Sequence, residues 1–186
     1  MKNDDNTATL LRTINFAAIK HRGQKRKNLT APYINHPIAV AELLSRYGIT
    51  DTATLQGAIL HDTVEDTQTT PDELEELFGA EVKNIVLEVS DDKELPLPER
   101  KRLQIEHAPH LSPKAKLIKI ADKINNVYEI IYSPPTEWEI ERRLGYLEWA
   151  QKVVEGCRGL NDGLDKHFDD LIKIGNEILE KEKTTK

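Results

Sequence analysis

The chain has 186 residues, of which 38% are hydrophobic, 31% charged and 5% aromatic, the make-up of a globular fold with a heavily solvated surface. Its 26 basic and 32 acidic residues leave a net charge of −6, which argues against tracking a nucleic-acid backbone. No apolar run approaches the ~20 residues that span a bilayer, Met1-Lys2-Asn3-Asp4-Asp5 lacks the layout of a secretory signal, and the single Cys157 excludes an intramolecular disulfide and a cysteine-based zinc site. A cytoplasmic protein with no nucleic-acid or membrane partner is expected, and homo-oligomerisation is left open.

Helical periodicity dominates, with no repeat, no low-complexity tract and no dividing linker. From Ala8 to His21 the set Leu10, Leu11, Ile14, Phe16, Ala17 and Ala18 recurs at the spacing of one helix face. A basic connection, Arg22 to Thr30, leads to Tyr33-Ile34-Asn35-His36-Pro37, where Pro37 suits the first turn of a helix that stops near Gly48. Thr50 or Asp51 caps the next helix, which carries Leu55, Ala58, Ile59 and Leu60 into His61-Asp62. Thr70-Pro71 opens another, and 80–90 reads as helix. Pro96 and Pro98 precede a charged helix over 99–107. Ser112-Pro113 opens a longer one through Val127 that Pro134-Pro135 ends, and 137–156 and 162–181 complete the chain. No convincing alternating strand appears. The expectation is an all-α bundle of about eight to ten helices, one domain spanning 1–186 with its core over 8–180.

The sharpest local feature is His61-Asp62-Thr63-Val64-Glu65-Asp66. Continued as helix, it stacks His61 over Glu65 and Asp62 over Asp66, and its three carboxylates and one imidazole within six residues suit a cation. An acidic, hydrated helix end is the plain alternative. His36 lies at a helix entry, where a lone histidine is ordinarily a cap or a packed ring. Asp122 shares a column with Ile118 and Asn126 beside the apolar face Leu117, Ile120, Ala121, Ile124 and Val127. A carboxylate at that edge needs a partner, either Lys119 or Lys123 or a metal.

His36, the His61-Asp62 doublet and Asp122 match the metal-binding pattern of the HD phosphohydrolase superfamily. Arg26-Lys27, Tyr33-Ile34-Asn35-His36-Pro37, His61-Asp62-Thr63-Val64-Glu65-Asp66-Thr67 and Lys119-Ile120-Ala121-Asp122-Lys123-Ile124-Asn125-Asn126 closely resemble the hydrolase domain of RelA/SpoT-type enzymes. The length and Tyr146-Leu147-Glu148-Trp149-Ala150 are similar to the stand-alone small alarmone hydrolases of the metazoan SpoT-homologue kind. The resemblance implies an HD-type helical fold and a Mn²⁺-dependent hydrolase that removes pyrophosphate from the 3′ position of guanosine tetra- or pentaphosphate. It also implies that the chain degrades the alarmone without making it, because no room is left for a synthetase domain.

By the same resemblance His36, His61, Asp62 and Asp122 hold one metal ion, and Glu65 and Asp66 are the catalytic acidic pair that orients or deprotonates the attacking water. Arg26 and Lys27 pack around the guanine, Asn126 contacts substrate, and Tyr146 is a nucleotide contact; separately, the helical spacing of three or four residues puts Arg142 or Arg143 beside Tyr146. Mixed imidazole and carboxylate donors suit Mn²⁺ or Fe²⁺, with Zn²⁺ also compatible. Lys93 and Arg100-Lys101-Arg102 are candidate contacts for the distal phosphates, or else parts of a solvated charged helix. Trp138, Trp149 and Phe168 are expected to serve helix packing, and Cys157 to be a small packed residue. Two departures stand out. Leu97 occupies a position where related enzymes can carry lysine, and Asn28-Leu29-Thr30-Ala31 replaces a glycine-containing turn. The rival readings are another nucleotide phosphohydrolase, such as an NADPH 2′-phosphatase, and a non-catalytic nucleotide sensor.

Overall fold

The structure, a computed structural model, describes residues 6–26 and 31–185. Among them are ten α-helices: α1 (Asn6–Lys20), α2 (Asn35–Arg46), α3 (Thr52–Leu60), α4 (Thr63–Asp66), α5 (Pro71–Phe78), α6 (Ala80–Val89), α7 (Leu97–His107), α8 (Pro113–Tyr132), α9 (Ile140–Glu155) and α10 (Asp162–Thr185). A short 3₁₀ turn, Ala108–His110, follows α7. The β pairing among these residues is one isolated antiparallel bridge, Lys25 to Pro32. The fold is all-α.

The helix starts follow from local chemistry. Asp51 accepts a hydrogen bond from the Thr54 N–H, Thr70 from Glu73 and Ser112 from Ala115, so each side chain satisfies a donor that the first turn leaves unpaired. Pro71 and Pro113 stand in first turns, where no N–H is needed.

The core is built around α8, which packs against α2, α3, α6, α9 and α10. Every residue of α3 from Thr54 to Leu60 is buried, the behaviour of a helix that is apolar nearly all round. Close approach here requires Gly57, since a Cβ at that position would lie 2.6 Å from Ile85 Cγ2 and 3.0 Å from Ile118 Cδ1. Across the bundle, Gly175 lets α10 settle onto Ile131 and Leu147. At the other extreme α7 buries none of its residues.

One local expectation is overturned. His61 to Asp66 is not one continuous helix: α3 ends at Leu60, His61-Asp62 form a turn, and α4 restarts at Thr63. Thr63 supplies the reason. Its hydroxyl donates to the Leu60 carbonyl at 2.7 Å, giving that terminal acceptor a side-chain partner. The Asp62–Asp66 register survives through the 2.8 Å Asp66 N–H bond to the Asp62 carbonyl, and the break leaves both His61 and Asp62 facing inward.

Candidate functional site

Four side chains from three parts of the fold converge at the base of a cavity of about 520 Å³. His36 enters from the first turn of α2, His61 and Asp62 from the turn between α3 and α4, and Asp122 from the middle of α8. His36 Nε2 lies 3.1 Å from Asp122 Oδ1 and 3.8 Å from Asp62 Oδ2. His61 Nε2 lies 3.0 Å from Asp62 Oδ2 and 3.8 Å from Asp122 Oδ1. Donor atoms of His36, His61 and Asp62 all fall within 4.8 Å of one another, and Asp122 Oδ1 closes the group through both imidazoles.

The donor set fits a divalent cation. His61 Nδ1 is bonded to the Ala58 carbonyl at 2.8 Å, which requires the proton on Nδ1 and turns Nε2 toward the two carboxylates. That buried Nε2 has no hydrogen bond of acceptable geometry despite its short separation from Asp62. Burial lowers the His61 pKa, but Asp62 and Asp122 outweigh it and push it up to about 9. Burial would also raise both carboxyls. The facing imidazoles, joined at Asp122 by the Lys123 ammonium, hold them well below the ordinary range instead. Such a centre calls for positive charge, and a metal ion supplies it without a proton.

Asp122 also has the partner that the plain alternative required. Lys123 Nζ donates to Oδ2 at 3.0 Å, and Asn126 Nδ2, one turn on, donates to Oδ1 at 2.6 Å. The ion pair takes one carboxylate oxygen, and the other faces the histidines.

Glu65 and Asp66 line the same cavity without joining the four. Glu65 Oε2 accepts from the Asp91 N–H at 3.1 Å, and Arg100 Nη1 lies 3.6 Å from Oε1. Burial, reinforced by Asp91, Asp62 and Asp66, raises its pKa against that hydrogen bond. Asp66 is paired with Lys93 and accepts from the Tyr33 hydroxyl at 2.9 Å.

The nucleotide-contact candidates divide. Arg26 lines the cavity but is committed to Glu129 through Nε and Nη2, at 2.7 Å for the shortest contact, and to Asn126 Oδ1 at 2.8 Å. Lys27 lies outside the described residues, as does most of the substituted Asn28–Ala31 turn. Arg142 stacks on Trp138 at 4.2 Å, and Tyr146 stands between Trp138 and Trp149 with ring centroids 5.9 and 5.2 Å away. Burial pushes the Tyr146 pKa up to about 12. Lys93, Arg100 and Lys101 line the cavity, whereas Arg102 is exposed and paired with Glu99 and Glu106. Leu97, at the position where related enzymes can carry lysine, lines the cavity.

Trp138 and Trp149 line the cavity wall in addition to the packing expected of them. Helical spacing could not separate the two roles. Phe168 and Cys157 are buried as expected. Tyr33 was not singled out as a site residue, because a tyrosine at a helix entry carries no signal until the fold shows what its hydroxyl meets.

An HD domain family model matches residues 13–146. A relative from Xenopus tropicalis named guanosine-3′,5′-bis(diphosphate) 3′-pyrophosphohydrolase MESH1 is 54% identical, over 88% of this chain and 93% of its own. The Homo sapiens protein of the same name is 53% identical, over 89% of this chain and 94% of its own. A solved structure described as a metazoan ortholog of SpoT that hydrolyzes ppGpp superposes with a TM-score of 0.86 at 46% identity, covering 89% of this chain and 94% of that one.

Proposed function

The chain belongs to the HD domain family, and from that premise we propose that it is a Mn²⁺-dependent 3′-pyrophosphohydrolase of guanosine 3′,5′-bis(diphosphate) and its pentaphosphate. The observation that carries the reading is the convergence of His36, His61, Asp62 and Asp122 at 3.0–3.8 Å beneath a wall that holds Glu65 and Asp66. The names borne by the similar proteins supply the substrate.

In this reading His36, His61, Asp62 and Asp122 hold the metal. Bound there, a divalent ion supplies Lewis-acid polarisation of a phosphoryl oxygen and lowers the pKa of water. Glu65 accepts the proton of the attacking water, its raised pKa bringing it nearer to neutral working pH. The Asp91 N–H fixes the carboxylate that does so. Asp66 orients the water, held between Tyr33 and Lys93. Lys93, Arg100 and Lys101 offset the phosphate charge that a chain of net −6 would otherwise repel. Trp138, Tyr146 and Trp149 give the base or ribose an apolar wall, with Arg142 fixed over Trp138. Arg26 acts with Asn126 as a braced pair, so its planar guanidinium is presented in one orientation. Hydrolysis yields pyrophosphate with GDP from the tetraphosphate, or with GTP from the pentaphosphate. The reading takes 1–186 as one domain acting in the cytoplasm; among the described residues no helix is long and apolar enough to cross a membrane.

The test is product analysis after incubating metal-stripped protein with ppGpp, with and without Mn²⁺. GDP and pyrophosphate formed only with metal is the expected result. Tight binding without turnover under any divalent ion would replace the enzyme with a sensor.

A further inference from the structure

Asp66 is gripped at two places, by Gln24 just after α1 and by Tyr33 just before α2. The Tyr33 hydroxyl lies 2.9 Å from Asp66 Oδ2 and 2.6 Å from Asp62 Oδ2, placing one O–H between a carboxylate of the metal group and a carboxylate of the acidic pair. Gln24 Nε2 donates to the Asp66 backbone carbonyl at 2.7 Å. The two grips are linked. Gln24 Oε1 meets His21 Nδ1 at 2.8 Å, and the His21 ring stacks on Tyr33 with centroids 4.9 Å apart and planes 28° from parallel. On the backbone, the Tyr33 N–H donates to the Gln24 carbonyl at 2.9 Å and the Arg26 N–H to Ala31 at 3.0 Å, beside the Lys25–Pro32 bridge. Arg26 lies over the Tyr33 ring at 5.3 Å. The phenol is thus held by stacking, by a cation and by its own backbone.

Among the described residues the Asp66 carboxylate also meets Lys93, a side chain 48% exposed on the connection before α7. A carboxylate held only by such a lysine follows it toward solvent, because long exposed side chains sample many rotamers. The hydroxyl opposes that pull from inside.

We propose that Tyr33 is a positioning residue for the hydrolysis: its hydroxyl ties Asp66 to the metal-side carboxylate of Asp62, and Tyr33 and Gln24 together clamp Asp66 by side chain and backbone. One proton shared by two carboxylates also eases the repulsion that would otherwise separate them. The inference rests on the function proposed above. Tyr33 acts through Asp66, so its loss should slow the chemical step without weakening nucleotide binding.

The test compares Tyr33→Phe with the wild-type full chain for ppGpp turnover, bound Mn²⁺ and thermal unfolding. Removing the hydroxyl alone is expected to lower kcat by about 10–100-fold, the range for groups that orient a metal site, with KM within about twofold and Mn²⁺ content unchanged. Gln24→Ala, which opens the backbone grip, should lower kcat in the same direction by less. An unchanged kcat in Tyr33→Phe overturns the proposal, and so does a raised KM at constant kcat, which would make Tyr33 a substrate contact. Loss of Mn²⁺ also overturns it, by making Tyr33 a support of the metal alone. If the wild-type chain leaves ppGpp intact, the functional reading falls by itself. Metal-loaded crystal structures of both proteins then decide: the Asp66 carboxylate swung away from Asp62 in Tyr33→Phe supports the clamp, and an unmoved one refutes it.

Discussion

His36, His61, Asp62 and Asp122 stand where the core holds them from several sides, whereas Lys93, Arg100 and Lys101 stand on a segment that buries almost nothing. The first group is carried by α2, the α3–α4 turn and α8, whose neighbouring residues Ala58, Leu60, Ile118, Ala121 and Ile124 are buried. The second belongs to α7 and the connection before it, and α7 has no buried residue at all. A metal needs donors fixed to within fractions of an ångström, and in the proposed reading the four donors sit on close-packed elements. Phosphate charge can be met over a range of positions, so long, exposed cations suffice for it.

The comparison predicts a graded set of effects. Glu65 lies between the two regions, tied to the floor by position and to the rim by Asp91 and Arg100. Glu65→Gln should lower kcat by about 10²–10⁴-fold while leaving bound metal in place, measured by steady-state kinetics beside metal analysis. Because burial and neighbouring carboxylates raise the Glu65 pKa, the wild-type rate should fall on acidification at a pH above the ordinary glutamate value of 4.5, as the base takes up its proton. That acidic limb should vanish in the glutamine variant. Arg100→Ala should raise KM by about tenfold, the loss of one charged hydrogen bond, with a smaller change in kcat because the Asp91 N–H still holds Glu65.

Two further substitutions compare the regions by stability. Gly57→Ala drives a methyl into Ile85 and Ile118 beneath the metal group and should destabilise the protein by about 1–3 kcal/mol, read from denaturant midpoints. Arg102→Ala breaks exposed pairs with Glu99 and Glu106 on α7 and should leave the unfolding temperature unchanged, as surface pairs generally do. A larger loss at Arg102 than at Gly57 would reverse the contrast between floor and rim.

What was legible in the sequence follows the range of the interaction. Asp51, Thr70 and Ser112 cap helices through bonds spanning three residues, so their chemistry is written locally. His36, His61, Asp62 and Asp122 were found by a resemblance of motifs, and the fold brings them together. The break at His61-Asp62 escaped periodicity because Thr63 bonds back to Leu60, a side-chain effect that spacing does not register. The Arg26–Glu129 pair joins residues 103 apart in the chain. The wall formed by Trp138, Tyr146 and Trp149 depends on which side of α9, and which part of the connection before it, meets the cavity. Neither could be read before the helices were packed, and the same holds for the Tyr33 hydroxyl.

If the proposal holds, His36, His61, Asp62 and Asp122 act as one divalent cation centre. Calorimetric titration of Mn²⁺ into metal-stripped protein tests it most directly, with Asp122→Asn as the paired variant. About one ion per chain is expected for the wild type, with markedly weaker binding in the variant. Absence of Mn²⁺ binding in the wild type, or equal binding in both proteins, would contradict it.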